Sequence, residues 1–361
     1  MSSESDSVVT GPLLKHARHR GALASHVRVI VVMLAAVAAQ LALVAAFTGA
    51  MSKPTLQDVT VGIVVPVGSN SAAVAPAIAP IPGVSYRAIP DTATAQAAVD
   101  DGDIPAAVVV DDAGETLYVA GAFGPSLIGA VESSVAASAE HAGRPVRTVD
   151  VHPLPPADPR GMGTFLLAIG WVIGGYLGMM LLTRVIGGAS RTPRGVITLM
   201  GWTAAYAVSS AILGVVLLDP VMGVVTGAPW ALIGAGSLIV FSVGIFTAAL
   251  LSLWGMPGLV VAIGTLVILG NPTSGGSVPA QMLTGGWRFL ASILPTNAAV
   301  SLIRAVTYFN GHHLATALMV LVIYGAACAL LLLRLSRNRT IRPTAPAGPQ
   351  PQMAAPRAVM G

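Results

Sequence analysis

Apolar and polar positions along the chain follow two different rhythms. Residues 29–50 form an uncharged apolar run, long enough at about 1.5 Å per residue to cross a hydrocarbon core of about 30 Å. It exceeds the ~7–15 apolar residues of a secretory leader, so it is expected to be an uncleaved anchor. From 51 to 160 the apolar residues come in short bursts separated by Gly, Pro, Asp and Asn. Short apolar segments bounded by turn residues predict strands at 59–67, 84–89, 106–110, 116–120 and 146–151, the third and fourth flanking DDAGE as a hairpin. Helical spacing predicts helices at 91–101 and at 126–142, the second with Leu127, Val131 and Val135 on one face. The order is roughly βαβαββαβ, a compact α/β domain. A stiff linker carrying Pro153, Pro155, Pro156 and Pro159 joins it to the next apolar run.

Beyond the linker the long runs return at 163–182, 196–218, 221–270 and 314–333. The tract 221–270 has no ionisable side chain and is too long for one crossing. Its break is Leu253-Trp254-Gly255-Met256-Pro257-Gly258, which divides it into a span near 230–253 and a short one at 258–270. Six spans result, with an inserted domain between the first and the second. The proline-rich tail, 335–361, is expected to be disordered past Arg342.

The stretch 270–311 fits neither rhythm. Asn271-Pro272, Gly275-Gly276, Gly285-Gly286 and Pro295 cut it into pieces too short to span, yet each piece has faces. Trp287, Leu290, Ala291 and Leu294 recur at i, i+3, i+4, i+7, and after Pro295 the polar Asn297, Ser301, Arg304 and Tyr308 share a stripe. Short amphipathic helices of this kind lie at an interface or dip into a bundle.

Composition agrees with the pattern. Of 361 residues 54% are hydrophobic and 9% charged, against about 25% charged in soluble domains. The one cysteine, Cys328, lies inside an apolar run, so no disulfide forms within the chain. Charge distribution then sets orientation. Twelve Lys and Arg but only Glu4 and Asp6 fall before span one, between spans two and three, and after span six, so the two faces carry +10 and −6. By the positive-inside rule both termini are cytoplasmic and the 51–160 domain is extracytoplasmic. Counting 221–270 as one crossing would put five C-terminal arginines outside, and it is rejected for that reason.

Chemistry is sparse. The two lysines, Lys15 and Lys53, lie in no phosphate-binding loop, and there is no HExxH, CxxC or GxSxG. The chain is expected not to be an enzyme, to carry no cofactor or metal of its own, and to bind no nucleic acid, so any ATP-driven step belongs to a partner. No ionisable group sits at mid-span, which argues against a proton-driven antiporter. Gly170, Gly174 and Gly178 form a small-residue face, for which packing within the bundle outweighs a homodimer seam. His312 and His313 beside Asn310 suggest a metal site with Asp219, but two imidazoles without a fixed carboxylate fit interfacial solvation better. Arg304 leaves three readings open: snorkelling to lipid phosphate, pairing with an acidic group of the outer domain, or contact with a substrate headgroup. The basic segment 1–28 is expected to meet anionic lipid, or with Arg184, Arg191 and Arg194 to dock a motor subunit.

Three features together resemble the type-2 ABC exporter permease superfamily, in particular its phage-infection-protein-like (Pip-like) branch of bacterial membrane proteins. They are the layout of one span, an external α/β domain and five spans; AAVDDGDIPAAVVVDD at 97–112; and NPTSGGSVP at 271–279 followed by Trp287, Leu294-Pro295 and Arg304. The resemblance covers most of the chain from span one to span six. It implies a plasma-membrane permease subunit that dimerises, is driven by a separate cytoplasmic ATPase, and exports a lipid-like, polymeric or drug-like substrate. On that reading 271–311 is an external re-entrant segment, Pro272, Gly275, Gly276, Trp287, Pro295 and Arg304 shape an external gate, and Arg184, Arg191 and Arg194 form the coupling surface. The alternative is a non-transporting envelope scaffold or receptor whose outer domain binds a wall component or a partner protein.

Overall fold

The computed structural model describes residues 11–51, 54–64, 81–111, 114–186, 192–225 and 227–341. The basic stretch and the first apolar run form one helix, α1 (Gly11–Met51), whose span-length part is Val29–Met51. The expected tail begins later than 335, because the last helix continues to Ile341, and 342–361 lie outside the described residues.

The α/β domain has five strands, β1 (Val59–Val64), β2 (Val84–Ile89), β3 (Ala106–Asp111), β4 (Gly114–Val119) and β5 (Val146–Asp150), in the order β2-β1-β3-β4-β5. Strand β1 pairs in parallel with both β2 and β3, β3 and β4 form an antiparallel hairpin, and β4 pairs in parallel with β5. Helix α2 (Thr92–Asp100) joins β2 to β3, and α3 (Pro125–His141) joins β4 to β5. The rest of the first expected strand, and the helix expected between the first two strands, fall on 65–80, outside the described residues.

Alternation along β3 sorts the two faces. Ala106, Val108 and Val110 pack with Leu127, Val131 and Val135 of α3, whereas Ala107 turns to the other side and joins Ala95, Ala98 and Val99 of α2. Gly62 permits this closeness, since a Cβ there would sit 2.5 Å from the Ile89 Cδ1 and 2.8 Å from the Ile104 Cδ1. Asp91 caps α2, its carboxylate accepting from the Thr94 N–H at 2.8 Å. That bond and a second from the Thr94 hydroxyl hold its carboxyl below the usual carboxylate range.

Four further helices are long and apolar enough to cross a membrane: α4 (Met162–Ile186), α5 (Pro193–Val216, continued by a π-helical turn to Val221), α6 (Pro229–Trp254) and α10 (Leu314–Ile341). Helix α6 is the hub, with 56% of its best apolar window buried in protein, against 6% for α1. Helix α1 therefore presents most of its surface outward and meets the bundle mainly at 264–269. Trp171 of α4 is the central wedge. It is 2% exposed, Cβ atoms at Gly214 and Gly236 would fall 2.7 and 2.6 Å from its indole, and its Nε1 donates to the Ser210 carbonyl at 3.3 Å.

The expected fifth span differs from the rest. Helix α7 (Met256–Ile263) runs into a π-helical stretch, Gly264–Leu269, and the two together are too short to count as a full span. Gly255 takes φ +64°, and a Cβ on Gly258 would lie 2.0 Å from the Leu250 carbonyl oxygen, so α7 folds tightly against the end of α6. The chain then leaves helical form at Gly270. Helices α8 (Gly285–Ile293) and α9 (Pro295–Tyr308) come next, bent by 73° at Leu294-Pro295. Alternation of direction through α4, α5 and α6 puts Trp254 away from the domain, while Gly276 lies against the ring of Phe165 near the start of α4, on the domain side. The segment between them therefore passes from one side of the bundle to the other. The start of α1 and the end of α10 both lie on the side away from the domain.

Candidate functional site

Residues 271–276 are non-helical backbone buried between helices, an arrangement tolerated at membrane depth only where protein supplies hydrogen-bond partners. The polar stripe of α9 supplies them. The Asn297 Nδ2 donates to the carbonyls of Thr273 and Ser274 at 3.3 and 3.1 Å. About two turns later, Arg304 donates from its two terminal nitrogens to the carbonyls of Gly275 and Gly276 at 2.8 and 3.2 Å. Four successive carbonyls are thus satisfied by two side chains of one helix. Gly275 adopts φ +76°, and Gly276 has no room for a side chain because a Cβ would meet the Phe165 ring. Arg304 is partly buried, and none of the described carboxylates forms an ion pair with it. Its partners within the described residues are these two neutral carbonyls and not an acidic group of the α/β domain. Arg304→Met removes both donors at similar length and is expected to lower thermal stability by about 2–3 kcal/mol, with Arg304→Lys recovering part through a single bond. Equal melting temperatures for the wild type and Arg304→Met would contradict this role.

The other expected gate residues divide. Pro272, Gly275, Gly276 and Arg304 belong to one buried knot, and Pro295 opens α9 at the bend. Trp287 stands apart: its ring is seated on Gly49 near the end of α1, in a cluster with Ala50, Leu283 and Ala291. It fastens α8 to α1. Gly174 and Gly178 pack against Tyr206 of α5, whose hydroxyl donates to the Gly174 carbonyl at 2.9 Å, while nothing approaches Gly170. Among the coupling candidates, Arg184 ends α4, Arg194 lies in the first turn of α5, and Arg191 lies outside the described residues.

The knot also grips the α/β domain, from both faces of its sheet. On the α3 face Met282 enters the domain's core beside Val59 and Leu127, the Gln57 N–H donates to the Gln281 carbonyl, and the Ser126 hydroxyl donates to the Ser277 carbonyl. On the α2 face Phe309, at the end of α9, joins Ala95, Val99 and Ile104, its ring centred 5.0 Å from that of Phe123 and tilted 49° to it. Around Phe309 three histidines face three aspartates at the end of α2 and in the turn after it. His313 bonds the Asp103 carboxylate at 2.8 Å, the His152 Nε2 lies 2.8 Å from the Asp100 carbonyl and 3.1 Å from its carboxylate, and His312 lies 3.7 Å from the Asp101 carboxylate. His312 and His313 thus take their carboxylates from the domain rather than from Asp219 or from water. Among the described residues no group of three or more His, Cys, Asp or Glu is placed to hold a metal.

A cavity of about 570 Å³ opens beneath this joint, within the ~300–1,000 Å³ typical of small-ligand sites. One wall is polar, with Asn297, Ser301 and Arg304 of α9 facing it together with Ser274 and Gly275, while α10 lines another part with Ala317 and Val320. Arg288 of α8 lies at its edge, bonded to the Gln57 side chain at 2.9 Å and 3.8 Å from Asp58. Sequence reasoning found the stripe Asn297–Ser301–Arg304 and the acidic stretch within 97–112, but missed Phe309, Arg288 and His152 and the pairing of Asp100–Asp103 with histidines, because those roles depend on partners far away in the chain. Comparison with protein-family models, with curated proteins and with solved structures finds no match for this chain.

Proposed function

We propose that this chain is the membrane subunit of an exporter of the type-2 ABC permease kind, driven by a separate ATPase and moving a lipid-like, polymeric or drug-like substrate outward. The observation that carries the reading is the broken segment 256–284. Its irregular backbone borders a cavity at the domain side of the bundle, and discontinuous spans of this sort form substrate sites in transporters. The absence of an ATP-binding loop from the sequence calls for a partner to supply energy, and Arg184 and Arg194, at the end of the bundle away from the domain, are the docking surface in this reading. Affinity purification in mild detergent is expected to recover a nucleotide-hydrolysing subunit in fixed ratio. Repeated recovery without one, and with an envelope protein instead, would overturn the reading in favour of a scaffold.

Orientation follows from the charge distribution, which puts the basic ends of the spans in the cytoplasm of a bacterial cell. With Cys328 replaced by alanine, Glu140→Cys on the exposed side of α3 is expected to react with an impermeant thiol reagent on intact cells. Asn338→Cys near the end of α10 is expected to react only after permeabilisation. The reverse pattern would invert the protein.

A further inference from the structure

The guanidinium of Arg304 uses two of its N–H donors on the Gly275 and Gly276 carbonyls. An arginine carries five, so three remain. Its positive charge meets dipoles but, among the described residues, no paired carboxylate. The other charges around the cavity are already engaged: Arg288 near Asp58, His313 on Asp103 and His312 near Asp101. A partly buried cation without a counter-ion, beside a cavity, is a place where an anion gains both Coulomb energy and charge-assisted hydrogen bonds. Ser301, one helical turn before Arg304, shares that wall and adds a hydroxyl.

The α10 part of the cavity has a different chemistry. Thr316, Ala317 and Val320 lie within about one turn of α10, so a ligand that reaches Arg304 meets a mostly apolar patch of helix surface there. A small polar anion leaves that surface uncovered, and an uncharged hydrocarbon leaves Arg304 without a counter-ion. We infer that the cavity binds an amphiphile with an anionic headgroup, its phosphate or carboxylate on Arg304 and Ser301 and its hydrocarbon along Ala317 and Val320. This narrows the substrate class of the exporter proposed above and rests on that reading only for the direction of movement. Binding itself needs no ATPase.

The test uses the full-length protein in detergent, with native mass spectrometry counting retained lipid after exposure to equal amounts of phosphatidylglycerol and phosphatidylcholine. The wild type is expected to retain phosphatidylglycerol about tenfold over phosphatidylcholine, because both offer a phosphate to Arg304 but in the second the choline cation offsets its charge. Arg304→Gln, which keeps an amide donor toward Gly275, is expected to lose that preference. Thr316→Trp, which leaves Arg304 in place and fills the α10 wall, is expected to lose retention of both lipids. Inorganic phosphate at millimolar concentration is expected not to displace the lipid. Equal retention of the two lipids by the wild type, an unchanged preference in Arg304→Gln, or displacement by phosphate alone would each overturn the inference. Failure to recover an ATPase would overturn the exporter reading and leave the lipid result standing.

Discussion

Trp171→Ala is expected to lower the unfolding free energy of the bundle by about 3 kcal/mol, toward the lower end of the range for emptying a buried large aromatic site. The lower end applies because lipid is as apolar as the protein interior, so the loss is one of packing and not of transfer from water. The indole occupies the space between α4, α5 and α6, and the glycines at 214 and 236 exist at those positions because its ring approaches so closely. Collapse of the cavity is opposed by three helices already in contact. Trp202 of α5, 60% exposed, is the control, and its alanine variant is expected to change little. A second substitution, Gly236→Leu, places methyl groups where the ring was and is expected to restore part of the loss in Trp171→Ala while damaging the otherwise unchanged protein. Melting of purified protein followed by size-exclusion recovery measures all four. Equal melting of the Trp171 and Trp202 variants would remove Trp171 from its central role.

The second large effect is expected at Phe309. It belongs by sequence to the membrane bundle and by packing to the core of the α/β domain, at 7% exposure. Phe309→Ala removes its contacts with Ala95, Val99 and Phe123 and the edge of His152, and a buried Phe→Ala costs about 3–5 kcal/mol. The domain keeps its own sheet and its other grip at Met282, so the loss falls on the joint and not on either body. Hydrogen exchange of the turn at 101–103 and of His312 and His313 is expected to accelerate about a hundredfold, with exchange in β3 and in α6 unchanged. Gly102→Val reaches the same result from the other side. Gly102 takes φ +76°, and a Cβ there would stand 2.7 Å from the Phe309 ring. Unchanged exchange in both variants would mean that the three His–Asp pairs hold the joint without the aromatic.

Much of the architecture was legible because it depends on near neighbours in the chain. The unbroken apolar run Ala106–Val110 and four-residue spacing in Leu127, Val131 and Val135 predict the strand and helix that the structure contains, since a strand covered on both faces reads apolar throughout and a helix covered on one face takes the helical period. The stripe Asn297, Ser301, Arg304 was visible for the same reason. The break at Gly255 and Pro257 was visible too, but not that the residues after it would take π-helical form and then lose helical form altogether. That outcome depends on Asn297 and Arg304 being available, across the bundle, to satisfy the exposed carbonyls.

The features that stayed hidden share one property: the partner is remote in sequence. His313 finds Asp103 across 210 residues, Arg288 finds Gln57 across 231, and Gly214 and Gly236 are explained only by the indole of Trp171. A lone Phe309 at the end of an amphipathic helix has the same local pattern whether it meets lipid, water or a domain core. The amino-acid sequence by itself determined the membrane-spanning class, the inserted α/β domain and its element order, and the amphipathic faces of 285–308. Each of these follows from hydrophobic spacing within a few turns or strands. Only the tertiary structure decided that Arg304 and Asn297 serve a broken backbone, that the domain is gripped on both faces of its sheet, and that a cavity lies beneath the grip. Those depend on which distant surfaces meet, and periodicity along one segment does not specify the surface it will cover.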